Sequence, residues 1–319
     1  MTFGRGFDSR RLHHLGIDAA RSPTDRAAVV SAPGSGTPAS VRPTRRARLR
    51  VPECPARQSG LTGVPDAPTA CLHPPGHTTS LARSVNGGPP TIRDRLDAIR
   101  DHIRLAAARS GRAPGQVTLV GASKTVPAGA LREAIALGLR DLGENRVQEA
   151  AGKIAELGRD TVRWHLIGHL QRNKAAKAVE CFDLVHGVDD LDLATELSRR
   201  ATMAGRVLPV LVEVNVSGES SKFGVTPDAL DRLLEAMRTL TGVRLEGLMT
   251  VGRPVERAEE ARADFVRLRE LRDRGERVTG LELPHLSMGM SGDYVVAVEE
   301  GATLVRVGTA LFGARTATK

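Results

Sequence analysis

From residue 117 onward, short apolar runs alternate with amphipathic stretches eight times over, and few folds accommodate that rhythm. The runs fall at 117–123, 139–145, 162–169, 182–189, 208–216, 243–251, 281–291 and 303–313. Stretches of helical period, among them 146–157, 190–204, 227–239 and 255–273, lie between them. A strand that returns to the same sheet through a helix pairs in parallel, and eight such units favour a closed (β/α)8 barrel over an open sheet. No GxGxxG follows the first run, which counts against a dinucleotide fold. Ahead of the first strand, "TIRDRLDAIRDHIRLAAARSGR" places Leu96, Ile99, Ile103 and Leu105-Ala106 at helical spacing, with Thr91 as N-cap and Gly111 as stop. This helix is expected to cap the barrel or pack beside its last helix. Only "ARTATK" follows the eighth run.

Residues 1–90 have a different texture. They hold twelve arginines, no lysine, five acidic residues and twelve of the 18 prolines. Most of the net charge of +9 therefore sits in this segment, and residues 91–319 are nearly neutral. A basic surface for nucleic acid is not expected on the folded part. The segment lacks periodic apolar residues and reads as a disordered arm outside the fold. A functionless extension is the first account of it; a regulatory tail, an Arg-rich targeting peptide and a nucleic-acid arm are the others. Asp8, Asp18 and Asp25 weaken the targeting reading, and no apolar segment follows the paired arginines. No stretch is long and apolar enough to span a membrane. Three cysteines, two of them in the arm, make no disulfide framework, and no CxxC or HxxxH spacing is read as a metal site, so a reducing cytoplasm is expected.

In a parallel barrel the chemistry gathers at the carboxyl ends of the strands. The first run ends on Ser123 and Lys124, the second on Glu144 and Asn145, the third holds His165 and His169, the fifth Asn215 and Ser217, and the seventh Ser287 and Ser291. Only six residues in the chain are lysines, so a lysine at the end of an apolar strand stands out. It could be an ordinary charge reaching water. A lysine in a barrel mouth can also do what arginine cannot, namely lose its proton and condense with an aldehyde. Arg306 lies inside the apolar run "TLVRVGTALFG", where an unpaired charge is costly. It needs an acceptor, either a carboxylate such as Glu213 or Glu246 or a ligand ring nitrogen or anion. Small and hydroxyl residues at Ser287, Ser291, Gly308 and Thr309 stand where many barrels hold a phosphate. Together an amine, a buried guanidinium and a phosphate loop fit pyridoxal 5'-phosphate.

The segments "ASKTVP", "LGENRVQEA", "WHLIGHLQRNK", "VNVSGESSKFG" and "LSMGMSGDYVVAVEEGATLVRVGTALFGAR" resemble the YggS/PROSC family of pyridoxal phosphate homeostasis proteins. The resemblance covers about residues 91 to 315. It implies a single TIM barrel of the alanine racemase N-terminal-domain type (fold type III). By position it implies that Lys124 carries the cofactor as an internal aldimine and that Arg306 faces the pyridine nitrogen. It further implies that Ser291, Gly308 and Thr309 hold the phosphate with Ser287 nearby, and that Asn145 and His165 are pocket neighbours. The lysine, the arginine and the phosphate loop all stand where the family pattern has them.

An arginine at the pyridine nitrogen disfavours its protonation and makes the ring a poorer electron sink. A racemase also needs a second proton-transfer group, a tyrosine from a further domain in alanine racemases, and the lone tyrosine here is Tyr294. A non-catalytic role in buffering and delivering pyridoxal phosphate is therefore expected, with effects on amino-acid and keto-acid balance and with apo forms of dependent enzymes as partners. A monomer is expected. The alternatives are an amino-acid racemase and a Schiff-base aldolase, the latter leaving Arg306 unexplained. Trp164 and Cys181 read as core, the face with Arg172, Lys174 and Lys177 as solvated, and Lys222 as a surface lysine or a transient cofactor acceptor.

Overall fold

Each apolar run contributes a strand that pairs in parallel with its successor, and the eighth pairs back to the first in a computed structural model that describes residues 88–219 and 221–314. The strands are β1 Thr118–Ala122, β2 Asp141–Glu144, β3 Arg163–Leu166, β4 Leu184–Val188, β5 Leu208–Glu213, β6 Val243–Met249, β7 His285–Ser287 and β8 Leu304–Val307. The closed barrel expected from the sequence is thus present. Of the arm, only residues 88–90 are described; the calls on residues 1–87, Cys54 and Cys71 included, lie outside the described residues.

Helices α2 Ala128–Ala136, α3 Val147–Leu157, α4 Ala175–Cys181, α5 Leu191–Met203, α6 Leu230–Met237, α7 Arg262–Thr279 and α8 Tyr294–Glu299 follow β1 to β7 in turn. Ahead of them, α1 Ile92–Arg109 starts in a capping box: Asp94 donates its N–H to the Thr91 hydroxyl at 3.2 Å, and the Thr91 N–H donates to the Asp94 carboxylate at 2.8 Å. Its apolar face, Leu96, Ile99, Ile103 and Ala106, is buried against α8 and the short α9 Thr309–Phe312, so α1 packs beside the last helices. Among the described residues, no helix is long and apolar enough to cross a membrane.

Every strand is shorter than the run that predicted it, and two of the runs shorten most. The run 303–313 is a strand only to Val307, because the backbone turns at Gly308 and Thr309–Phe312 winds into α9. The run 281–291 is a strand only over His285–Ser287: Pro284 cannot donate to the ladder, and Gly289 takes a φ of 91°.

The strands are buried on both faces, as barrel strands must be. Outward residues such as Leu142, Trp164, Val185, Val210 and Leu286 pack under the helices. The inward apolar set is small: Val120, Ile167, Leu184, Leu211, Met249 and Leu304. Much of the remaining interior is polar, with Asp141, His165, His186, Glu213, Ser287 and Arg306 all buried.

At Gly247 the sheet tolerates no side chain. The register between β5 and β6 slips between Val210 and Leu211, φ reaches +155°, and a Cβ would overlap the His285 carbonyl of β7. Gly247→Ala is expected to cost about 3 kcal/mol or more of stability, as forced overpacking does, read as a lower urea midpoint.

Candidate functional site

Strand alternation decides which strand-end residues see the mouth. Ser123 turns outward, where its hydroxyl donates to Glu144 Oε1 at 2.6 Å. Lys153 of α3 donates to the same oxygen at 2.7 Å, to Glu149 at 2.8 Å and to the Ser123 carbonyl at 2.6 Å. Burial pushes the Glu144 carboxyl up against the opposing pull of Lys153 and Ser123. Glu144, grouped from the sequence with the mouth residues, therefore belongs to the helix layer: it follows Gly143, which faces inward, and the period of two sends it out.

This outer cluster fixes the backbone that carries Lys124. Thr125 donates its N–H to Glu149 at 2.6 Å and sits at a φ of 63°, a left-handed conformation that is strained for a β-branched residue. Lys124 is held between these two anchored residues at the end of β1. It is half-buried, and its ammonium makes no hydrogen bond or ion pair among the described residues.

Arg306 lies across the interior from a chain of polar groups. Its Nη1 donates to Ser287 Oγ at 2.6 Å and its Nη2 to the Thr250 carbonyl at 2.8 Å. Ser287 Oγ is 2.8 Å from His186 Nδ1, His186 Nε2 is 3.0 Å from His165 Nδ1, and His165 Nε2 is 3.0 Å from Asp141 Oδ1. Arginine can only donate and an ionised aspartate can only accept, so a line of neutral rings between them runs one way: the Ser287 hydroxyl donates to His186, His186 donates from Nε2, and His165 donates from Nε2 to Asp141. Burial holds His186 well below the ordinary histidine value, which keeps it neutral as this chain requires. Arg163 completes the far end, 2.7 Å from Asp141.

The carboxylate partner considered for Arg306 is not what it contacts. Glu246 is taken by Arg244 at 2.6 Å. Glu213 makes no hydrogen bond among the described residues; burial and the charge of Asp189 push it up to about 7, and Arg306 pulls the other way. Arg306 itself is pulled down to about 10 by its burial.

The third group lies after β7 and β8. The Ser291 hydroxyl accepts the N–H groups of Gly308 and Ala310, each at 3.2 Å. A Cβ on Gly308 would come within 3.3 Å of the Ala122 carbonyl, so the small residue lets this turn close against the end of β1 beside Lys124. Ser287 is buried beneath and Thr309 is exposed at the rim.

The other expected neighbours are placed unevenly. Asn145 is half-buried at the end of β2, its backbone packed on Gly168. His165 lies within the barrel with both ring nitrogens committed. Asn215 and Ser217 shape the following loop, where Asn215 donates to the Glu219 carbonyl at 2.8 Å. His169 stacks on exposed Phe223 at 3.9 Å, with its Nδ1 3.5 Å from Asp189. Lys222 pairs with Glu219 at 2.8 Å, as a surface lysine does. Lys177 pairs with Glu180 and Arg172 with Asp192 on an exposed face. Asp141, His186, Thr250 and Lys153 escaped the sequence reading, although a histidine at an inward position of "DLVHGV" was a visible signal.

The family model described as alanine racemase, N-terminal domain, matches residues 95–316. The pyridoxal phosphate homeostasis protein of Pseudomonas aeruginosa is 48% identical over 225 residues, which is 70% of this chain and 96% of that one. Its counterpart in Aquifex aeolicus is 46% identical over 222 residues, 70% of this chain and 97% of that one. The chain belongs to the pyridoxal phosphate homeostasis protein family. Among solved structures, PipY of Synechococcus elongatus with pyridoxal phosphate bound superposes with a TM-score of 0.62 at 40% identity, over 70% of this chain and all of that one. An alanine racemase of Clostridium difficile, at 14% identity and a TM-score of 0.55, shares the fold with this family.

Two predictions follow from the interior groups. His186→Ala leaves Ser287 and His165 each without a partner in the core, and is expected to cost about 3 kcal/mol in urea denaturation. Glu213 has a folded value above its unfolded one, so its stabilising share is present below about pH 4.5 and is lost as pH rises through 7. Glu213→Gln is therefore expected to exceed the parent in stability at pH 8, by about 3 kcal/mol at most, and to lose that advantage at pH 5, as read by denaturation at both pH values.

Proposed function

We propose that this chain binds pyridoxal 5'-phosphate in the barrel mouth and serves its intracellular balance as a non-catalytic carrier. In this reading Lys124 holds the cofactor covalently, Arg306 lies against the pyridine nitrogen, and Ser291, Gly308 and Thr309 take the phosphate with Ser287 beside them. Asn145 and His165 complete the surroundings. Residues 91–319 form the cofactor-binding unit, residues 1–90 stand outside it, and the protein works as a cytoplasmic monomer that hands cofactor to apo enzymes.

The single observation that carries the reading is the convergence of a partnerless lysine, a buried guanidinium and two paired N–H groups on the same end of three adjacent strands, β7, β8 and β1. The donor set fits the group. Arg306 uses Nη1 and Nη2 once each and makes no hydrogen bond from Nε among the described residues. The Gly308 turn has no side chain to fill the space beside Ala122. Bound pyridoxal phosphate would supply an aldehyde for the lysine and an electron-accepting ring. The protein's residues restrain that ring: an arginine that stays cationic at neutral pH cannot accept a proton from the pyridine nitrogen or give one up readily.

The carrier reading over a racemase is supported by Tyr294. Its phenol is buried on the far side of the barrel wall, 2.7 Å from His102 of α1, and burial pushes it up to about 12. Glu213 is the one feature that favours racemisation, because a carboxyl with a value of about 7 near Arg306 could move a proton.

The full chain is expected to show a near-visible absorption band that borohydride removes and that Lys124→Ala lacks. A colourless protein that also fails to take up added pyridoxal phosphate would refute the assignment. Incubation with L- or D-alanine is expected to leave optical rotation unchanged; a steady loss of rotation that Glu213→Gln abolishes would favour the racemase.

A further inference from the structure

At the opposite end of the barrel from Lys124 lies a cavity of about 570 Å3, within the range of small-ligand sites. Thr118, His285 and Thr303 line it from the amino-terminal feet of β1, β7 and β8. Arg112, just past α1, Gln116 in the short turn before β1, and Arg272 of α7 close its sides. Among the described residues, no aspartate or glutamate lines it.

Its lining carries two guanidinium groups. Arg112 Nη1 donates to the carbonyls of Val298 and Ala302 at 3.0 and 2.9 Å, and its Nε and Nη2 make no hydrogen bond among the described residues. Arg272 donates from Nε to Asp273 at 2.6 Å, with Glu276 3.9 Å from the same nitrogen, and makes no hydrogen bond from either Nη group among the described residues. Burial and the charge of Arg272 both pull Arg112 down, and no carboxylate opposes them. The carbonyl contacts explain Arg112 as a latch between α1 and α8. They do not explain a second guanidinium beside it, whose Nη groups are free of hydrogen bonds among the described residues and whose carboxylate partners lie outside the cavity lining.

We propose that this floor cavity binds a small phosphate dianion, free or as an organic phosphate, between Arg112 and Arg272. Two guanidinium groups with spare N–H donors, flanked by Thr118 and Gln116, suit a doubly charged group with at least three acceptor oxygens better than a monocarboxylate. The three strands whose feet line the cavity are those whose other ends carry Lys124, Ser287 and Arg306, so an anion here braces the strands of the mouth. The inference does not rest on the cofactor reading.

The test is titration calorimetry of the full chain with inorganic phosphate and with glycerol 3-phosphate, in the parent protein, Arg272→Ala and Gln116→Glu. Saturable binding is expected in the parent, weakened about tenfold in Arg272→Ala. Gln116→Glu supplies the missing carboxylate from an exposed turn, so it is expected to melt no lower than the parent and to bind neither probe. Equal affinity for the two probes identifies the phosphate group alone as the ligand; tighter glycerol 3-phosphate adds contacts to the ester. Absence of saturable binding in the parent, or equal binding in all three proteins, overturns the proposal, the latter because a mouth-bound phosphate would be untouched by either substitution.

Discussion

A guanidinium enclosed in a barrel of eight strands is the constraint around which the interior is arranged. An isolated charge in a low-dielectric core carries a penalty of tens of kcal/mol by simple solvation arguments, so Arg306 must be met by dipoles. The barrel meets it with a carbonyl from the end of β6 and with a line of groups that runs through Ser287, His186 and His165 to Asp141. Because arginine only donates and aspartate only accepts, neutral rings between them can hydrogen-bond in only one direction, and burial keeps His186 neutral. The negative end is balanced near the opposite rim by Arg163. Few apolar residues are left for the inside, which explains why the interior hydrophobic set is so small.

The mouth is built by the same logic of satisfying some groups so that others stay available. Lys153 and Glu149 take up Ser123, Glu144 and the N–H of Thr125, leaving Lys124 with no competing partner among the described residues. Glu213 and Asp189 stand at the ends of neighbouring strands, and burial holds both carboxyls above their usual range, with the charge of Asp189 adding to it at Glu213 and that of Asp190 at Asp189. The mouth thus offers an amine, a fixed cation and, in Glu213, a carboxyl that changes charge near neutrality. In the proposed reading, that combination suits reversible retention of an aldehyde-bearing anion more than fast proton transfer at carbon, for which a fixed cation against the ring would be a handicap.

The strand count and the barrel were legible because apolar runs separated by helical periodicity admit few alternatives. Lys124 and Arg306 were legible because each violates the pattern around it. Strand ends were less so: Gly308 and Gly289 redirect the chain inside runs that remain apolar, and composition does not distinguish a strand from a following helical turn in four residues. Glu144 was assigned to the mouth because a strand-end carboxylate looks the same on either face until the register fixes which side it takes. His186 and Asp141 acquire meaning only through groups 21 and 24 residues away from His165 in the chain, a relation that no local window contains.

By itself, the amino-acid sequence determined the repeat, the closed parallel barrel, the anomalous lysine and arginine, and the family pattern they belong to, because period, polarity and local order are written residue by residue. The tertiary structure alone decided the parity of each strand-end side chain, the direction of the hydrogen-bonded line through the core, and the meeting of Arg112 with Arg272 at the floor. The physical reason is the same in each case: barrel closure sets which distant groups come within hydrogen-bonding or Coulombic reach, and only there do their donors, acceptors and charges have to balance.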